Sequence, residues 1–141
     1  MLKLISLYAS FLLLLGGCTN GSREFTLPEG NVERGKTAFT EMGCASCHSI
    51  DGIVQGNTPK MSIQLGGKVT TIKTYGELVT SVINPSHRIS EDHKAYTTAD
   101  GKSKMKYYND VMTVSELTDI VYFLQSKYEL KPIELTRYRT Y

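Results

Sequence analysis

The sequence predicts an all-α domain of about three main helices joined by long loops. Three stretches carry apolar residues at spacings of three and four, and each opens with a capping residue. Between them lie Gly-rich, polar stretches, Asp51 to Gly67 and Arg88 to Lys104. With 141 residues, 40% of them hydrophobic, the chain has room for one core and not two. Sixteen Lys+Arg against 14 Asp+Glu leave a formal charge of +2. That gives no broad basic field, which argues against a dedicated nucleic-acid binder, and the composition is not that of a disordered chain.

In chain order, Lys3 is the sole charge ahead of an apolar run from Leu4 to Gly17. The run falls short of the about 20 residues that a spanning helix needs, and it reads as the core of a secretory signal. It ends Leu15-Gly16-Gly17-Cys18, which resembles the bacterial lipoprotein box. The resemblance implies that residues 1–17 are removed and that Cys18 begins the mature chain and carries lipid, tethering the protein to a membrane without spanning it. Thr19, in place of Asp, favours the outer membrane of a Gram-negative host by the same resemblance. The alternative is an ordinary cleaved signal with an incidental cysteine. Residues 18–29 are polar and lack periodicity, as a lipidated tether would, which leaves 30–141 as the domain.

Asn31 is placed to cap a helix through about Glu41, with Val32, Gly35, Ala38, Phe39 and Met42 on one face and Gly43 at its end. Residues 44–48 then read Cys-Ala-Ser-Cys-His, the C-x-x-C-H signature of c-type haem attachment. Two thiols three positions apart, Cys44 and Cys47, reach the two vinyl groups on one porphyrin edge, and His48 is carried under the iron. Two rival readings use the same residues. A redox dithiol would need a strand before the motif and a helix after it. A closed zinc site needs four ligands, and His87 and His93 stand further along the chain. Export favours haem, because c-type maturation takes place beyond the membrane. The absence of a second C-x-x-C-H implies one haem c per chain.

The second helix opens at Thr74-Tyr75-Gly76-Glu77, a capping box, and buries Tyr75, Leu78, Val79, Val82 and Ile83 before Asn84-Pro85 stops it. Asp100-Gly101, between Tyr96-Thr97-Thr98 and Lys102 to Tyr107, is expected to turn a small hairpin. The third helix opens at a second capping box, Thr113-Val114-Ser115-Glu116, and is expected to reach about Tyr128. Its expected buried face is Val114, Leu117, Ile120, Val121 and Leu124. Loops this long count against so small a domain unless a bound haem gives them two faces to pack on.

From Val32 to Tyr128 the chain resembles class I c-type cytochromes, which implies a small cytochrome c fold. In that family an N-terminal helix carrying a Gly and an aromatic crosses a C-terminal helix carrying an aromatic. Gly35 and Phe39 match the first pair and Phe123 the second. The family's ligand methionine stands in a loop ahead of the C-terminal helix. Met105 lies eight residues before the cap Thr113 and matches that spacing, with Lys106 where the family usually has Pro. Met112 directly precedes the cap, where a hydrophobic staple packs onto the first turn. His48 and Met105 are therefore the expected iron ligands, with Met112, His87, His93 or no protein ligand as alternatives. The segment Gly56 to Met61 resembles the family stretch in which a Pro carbonyl accepts a hydrogen bond from the ligand His Nδ1. Pro59 is the matching residue, and Met61 is expected to pack on the haem. His87 and His93 are otherwise expected in exposed loops.

An iron with His and Met ligands has no open position, so the expected function is one-electron transfer and not enzymatic turnover. The expected setting is the periplasmic side of a bacterial membrane. Lys102, Lys104 and Lys106 around Met105 would steer an acidic redox partner, though Glu91, Asp92, Asp100 and Asp110 lie in the same region. The alternatives are a cytochrome subunit of a periplasmic dehydrogenase or reductase complex, a gas-binding or sensing haem protein, and a small haem enzyme. The tail, 129–141, is expected to wrap the domain or dock a partner.

Overall fold

The computed structural model describes residues 27–54 and 62–132. Helix α1 (Val32–Glu41) starts at Asn31, whose side chain accepts from the Arg34 N–H at 2.9 Å. After Met42, Gly43 takes a left-handed φ of 75° and turns the chain into a single 3-10 turn, Cys44–Ser46. Helices α2 (Tyr75–Ile83) and α3 (Val114–Gln125) each open on a reciprocal capping box, Thr74 with Glu77 and Thr113 with Glu116. Both boxes bind otherwise unsatisfied N–H groups at a helix start.

The principal packing is α1 across α3, with α2 laid against α3 beside it. Gly35 stands at the crossing. A Cβ there would collide with the Asp119 carbonyl and come within 2.8 Å of the Phe123 Cβ. Close approach lets Phe39 and Phe123 meet at 5.7 Å between ring centroids, a tilted aromatic pair that is almost fully buried. The three residues matched to the family's crossing helices thus meet as expected. Asp119, also buried, was not anticipated. It accepts from the Asn31 N–H at 2.6 Å and from Arg34 at 2.7 and 3.0 Å. A buried carboxylate needs such partners, and these close the start of α1 onto α3.

Several expectations need correction. The all-α expectation holds only roughly: beside the three main helices, the described residues hold four short strands in two parallel pairs. β1 (His48–Ser49) pairs with β2 (Ile63–Gln64), and β3 (Gly67–Val69) with β4 (Tyr128–Leu130). Strands of two or three residues are too short to leave an alternating pattern in sequence. Helix α3 ends at Gln125 and not near Tyr128, because Gly66 and Gly67, both at positive φ, bring β3 against the chain just after it. The Gly67 N–H donates to the Lys127 carbonyl at 2.8 Å, and a Cβ on Gly66 would sit 2.7 Å from that oxygen.

Val114 is 62% exposed and Val32 37%, since each lies in the first turn of its helix, ahead of the crossing. Leu27, assigned to the tether, packs against the core. The small hairpin is present: Thr97 and Ser103 bridge antiparallel, the Thr98 N–H donates to the Lys102 carbonyl at 2.8 Å and the Lys104 N–H to the Tyr96 carbonyl at 3.0 Å, with Gly101 at φ 78° in the turn. Among the described residues no helix is long and apolar enough to cross a membrane. Residues 1–26, with the signal and Cys18, and the tail from 133 lie outside the described residues.

Candidate cofactor site

The helices, strands and loops line an apolar, open-mouthed cavity. Phe39 and Met42 line it from α1, Leu78 and Val82 from α2, and Ile120 and Leu124 from α3. Cys44 and His48 enter from the C-x-x-C-H segment, and Met105, Tyr108 and Met112 from the long loop before α3. Lys73, Ser81, Leu65 and Tyr128 complete the wall. The fold thus brings Cys44 and His48 of the motif and Met105 of a distant loop to one cavity.

Local structure explains the presentation of the motif. The left-handed Gly43 redirects the chain off α1, and the 3-10 turn, closed by the Cys47 N–H on the Cys44 carbonyl at 3.2 Å, leaves both thiols half-buried and free. His48 then enters β1, which the Ile63 N–H fastens by donating to the Cys47 carbonyl at 2.9 Å. Burial, the largest influence, pushes the Cys44 thiol above its ordinary pKa. A redox dithiol needs the opposite shift and a strand–motif–helix setting, whereas this motif follows a helix and leads into a two-residue strand. His87 and His93 are exposed, and among the described residues no three His, Cys, Asp or Glu side chains gather to hold a metal ion. The zinc reading therefore lacks its second pair of ligands there.

Burial, first, and the neighbouring His93 and Lys73 hold the His48 imidazole below its usual pKa, against an opposing pull from the Ile63 backbone. It is therefore neutral near pH 7, the form that coordinates iron. Its Nδ1 is buried and has no hydrogen-bond partner among the described residues. Pro59, the expected acceptor, and Met61 lie outside the described residues. A half-buried neutral imidazole, two free thiols beside it and thioether sulfurs on the same apolar cavity form a donor set that fits covalently held haem.

Met105 and Met112 are both half-buried. Met112 does pack against the core, as a staple would, yet it also lines the cavity, so its place before the cap does not remove it from the site. Of the three lysines near Met105, Lys102 pairs with Asp100 at 3.0 Å, Lys106 lies over the Tyr108 ring at 5.7 Å, and Lys104 is exposed. Lys73 and the buried Tyr108 were missed as site residues. Lys73 stands one position before the Thr74 cap, and Tyr108 is an aromatic three residues after Met105, so both had a positional signal.

The model of the cytochrome c family matches residues 32–127. No curated protein and no solved structure matches the chain.

Proposed function

Since the chain belongs to the cytochrome c family, whose members carry covalently attached haem c and pass electrons between redox partners, we propose that it is a monohaem, class I one-electron carrier. It works lipid-anchored through Cys18 at the periplasmic side of a bacterial membrane. The single observation that carries this reading is the convergence of Cys44, His48 and Met105 on one apolar cavity. When bound, haem supplies a reversible one-electron iron couple.

In this reading Cys44 and Cys47 hold the cofactor as thioethers, so it survives cycling without loss to the surroundings. His48, kept neutral by burial, would hold the iron through a ring nitrogen. Met105 would hold it through its sulfur, a soft donor that favours the reduced state. With His48 and Met105 both engaged as ligands, the site would leave no place for a substrate at the metal, and its apolar wall would limit water there. Exposed Lys104 supports docking to an acidic partner surface, whereas Lys102 is already engaged with Asp100.

Met105→Ala tests the ligand. The oxidised variant is expected to lose the near-infrared sulfur-to-iron band of the wild type, and the reduced variant to bind carbon monoxide readily. Persistence of the band would exclude Met105 and favour Met112, the second reading supported by its place in the same wall. The anchor is tested separately. Cys18→Ser is expected to move the protein to the soluble fraction with its spectrum unchanged, and retention in the membrane fraction would overturn that part.

A further inference from the structure

We propose that Tyr108 is a positioning residue that keeps Met105 closed over the cavity by bonding the ligand loop to the helix that leads into the haem-attachment motif. This rests on Met105 being the ligand. The loop from Thr97 to Thr113 runs past the cavity, and Tyr108 is its single buried residue. Among the described residues, three side-chain bonds tie this loop to segments distant in sequence. The Ser103 N–H donates to Ser86 Oγ at 3.1 Å and Asn109 Nδ2 to the Ile83 carbonyl at 3.0 Å, both at the end of α2. The third differs: the Tyr108 hydroxyl donates to the Met42 carbonyl at 3.0 Å, across 66 positions of chain.

Met42 closes α1 and precedes Gly43-Cys44. Among these three bonds, Tyr108's alone links the segment bearing the thioether to the segment bearing the thiols. Its backbone is fixed as well, since its carbonyl accepts from the Val111 and Met112 N–H groups at 3.0 and 2.9 Å. Lys106 occupies the position where a Pro would have set φ covalently, so closure of the loop depends on bonds of this kind.

Carbon monoxide reaches the reduced iron only while the methionine is off, so its binding rate reads the open fraction of the loop. Losing one neutral hydrogen bond raises that fraction by roughly two- to twelvefold. Tyr108→Phe keeps the ring in the wall and removes only the hydroxyl. Holoprotein carrying it is expected to bind carbon monoxide faster than the wild type by that factor, whereas Tyr107→Phe, at an exposed ring, keeps the wild-type rate. On heating, the near-infrared band of Tyr108→Phe is expected to disappear below the unfolding transition, a separation that a purely structural role would not produce. A wild-type rate in Tyr108→Phe, or a band that melts only with the fold, overturns the proposal. Met105→Ala, run alongside, separates the failures: an unchanged band there overturns the ligand assignment itself, and with it the basis of this inference.

Discussion

Replacing Gly35 by Ala sets two effects of opposite sign against each other. In a helix interior Ala is favoured over Gly by about 1 kcal/mol. At the crossing, however, the new methyl would meet the Asp119 carbonyl and stand 2.5 Å from the Asp119 carbonyl carbon and 2.8 Å from the Phe123 Cβ. The first two are backbone atoms of α3, so no rotamer change relieves the contact, and the helices must part by a large fraction of an ångström. Overpacking of this kind costs about 1–3 kcal/mol, and a backbone obstacle puts it at the upper end. The net expectation is a loss of about 2 kcal/mol. Gly76 is the internal control, since it lies in α2 with nothing within 4 Å of where a Cβ would stand, and Gly76→Ala should gain up to about 1 kcal/mol. Urea unfolding of the two holoproteins should therefore shift the midpoints in opposite directions at unchanged slope. A stabilised Gly35→Ala would refute the close crossing and, with it, the stated origin of the Phe39–Phe123 contact.

Asp119 makes stability depend on acid. Arg34, chiefly, and the Asn31 N–H hold its carboxylate below the ordinary pKa, against burial, which would raise it. The stabilisation is thus present above about pH 4 and lost as pH falls through the lowered folded value. Asp119→Asn should have a lower urea midpoint than the wild type near neutrality, with the difference shrinking below about pH 4. Thr113→Ala removes the hydroxyl that accepts from the Glu116 N–H at 3.2 Å, and calorimetry should register about 1 kcal/mol of lost stability. Gly66→Ala forces a side chain onto φ 79° and against the Lys127 carbonyl, so the melting temperature should fall and amide exchange across β3 and β4 should speed up.

What could be read in advance was local. Caps at Asn31, Thr74 and Thr113 have short-range signatures, and the structure starts all three helices there. The C-x-x-C-H motif is equally local. Gly35, Phe39 and Phe123 were legible through family resemblance, and their meeting follows from helix crossing. The features that escaped are long-range. β3 finds β4 some 60 positions on, and no pattern within either segment announces the pairing. Asp119 sits among apolar neighbours and shows its purpose only once Arg34 arrives from 85 positions away. Tyr108 bonds a backbone carbonyl, which carries no side-chain identity to match. Met112 shows the limit of positional logic: a residue placed as a helix staple also faces the cavity when that cavity lies beside the helix start.

The covalent link itself is the most direct thing to measure. Mature protein made in a host with competent c-type maturation should, after unfolding and acid-acetone extraction, keep its colour on the polypeptide, and the native form should titrate as a single one-electron step. A colourless chain, or haem that leaves into the solvent phase, would contradict the account at its root.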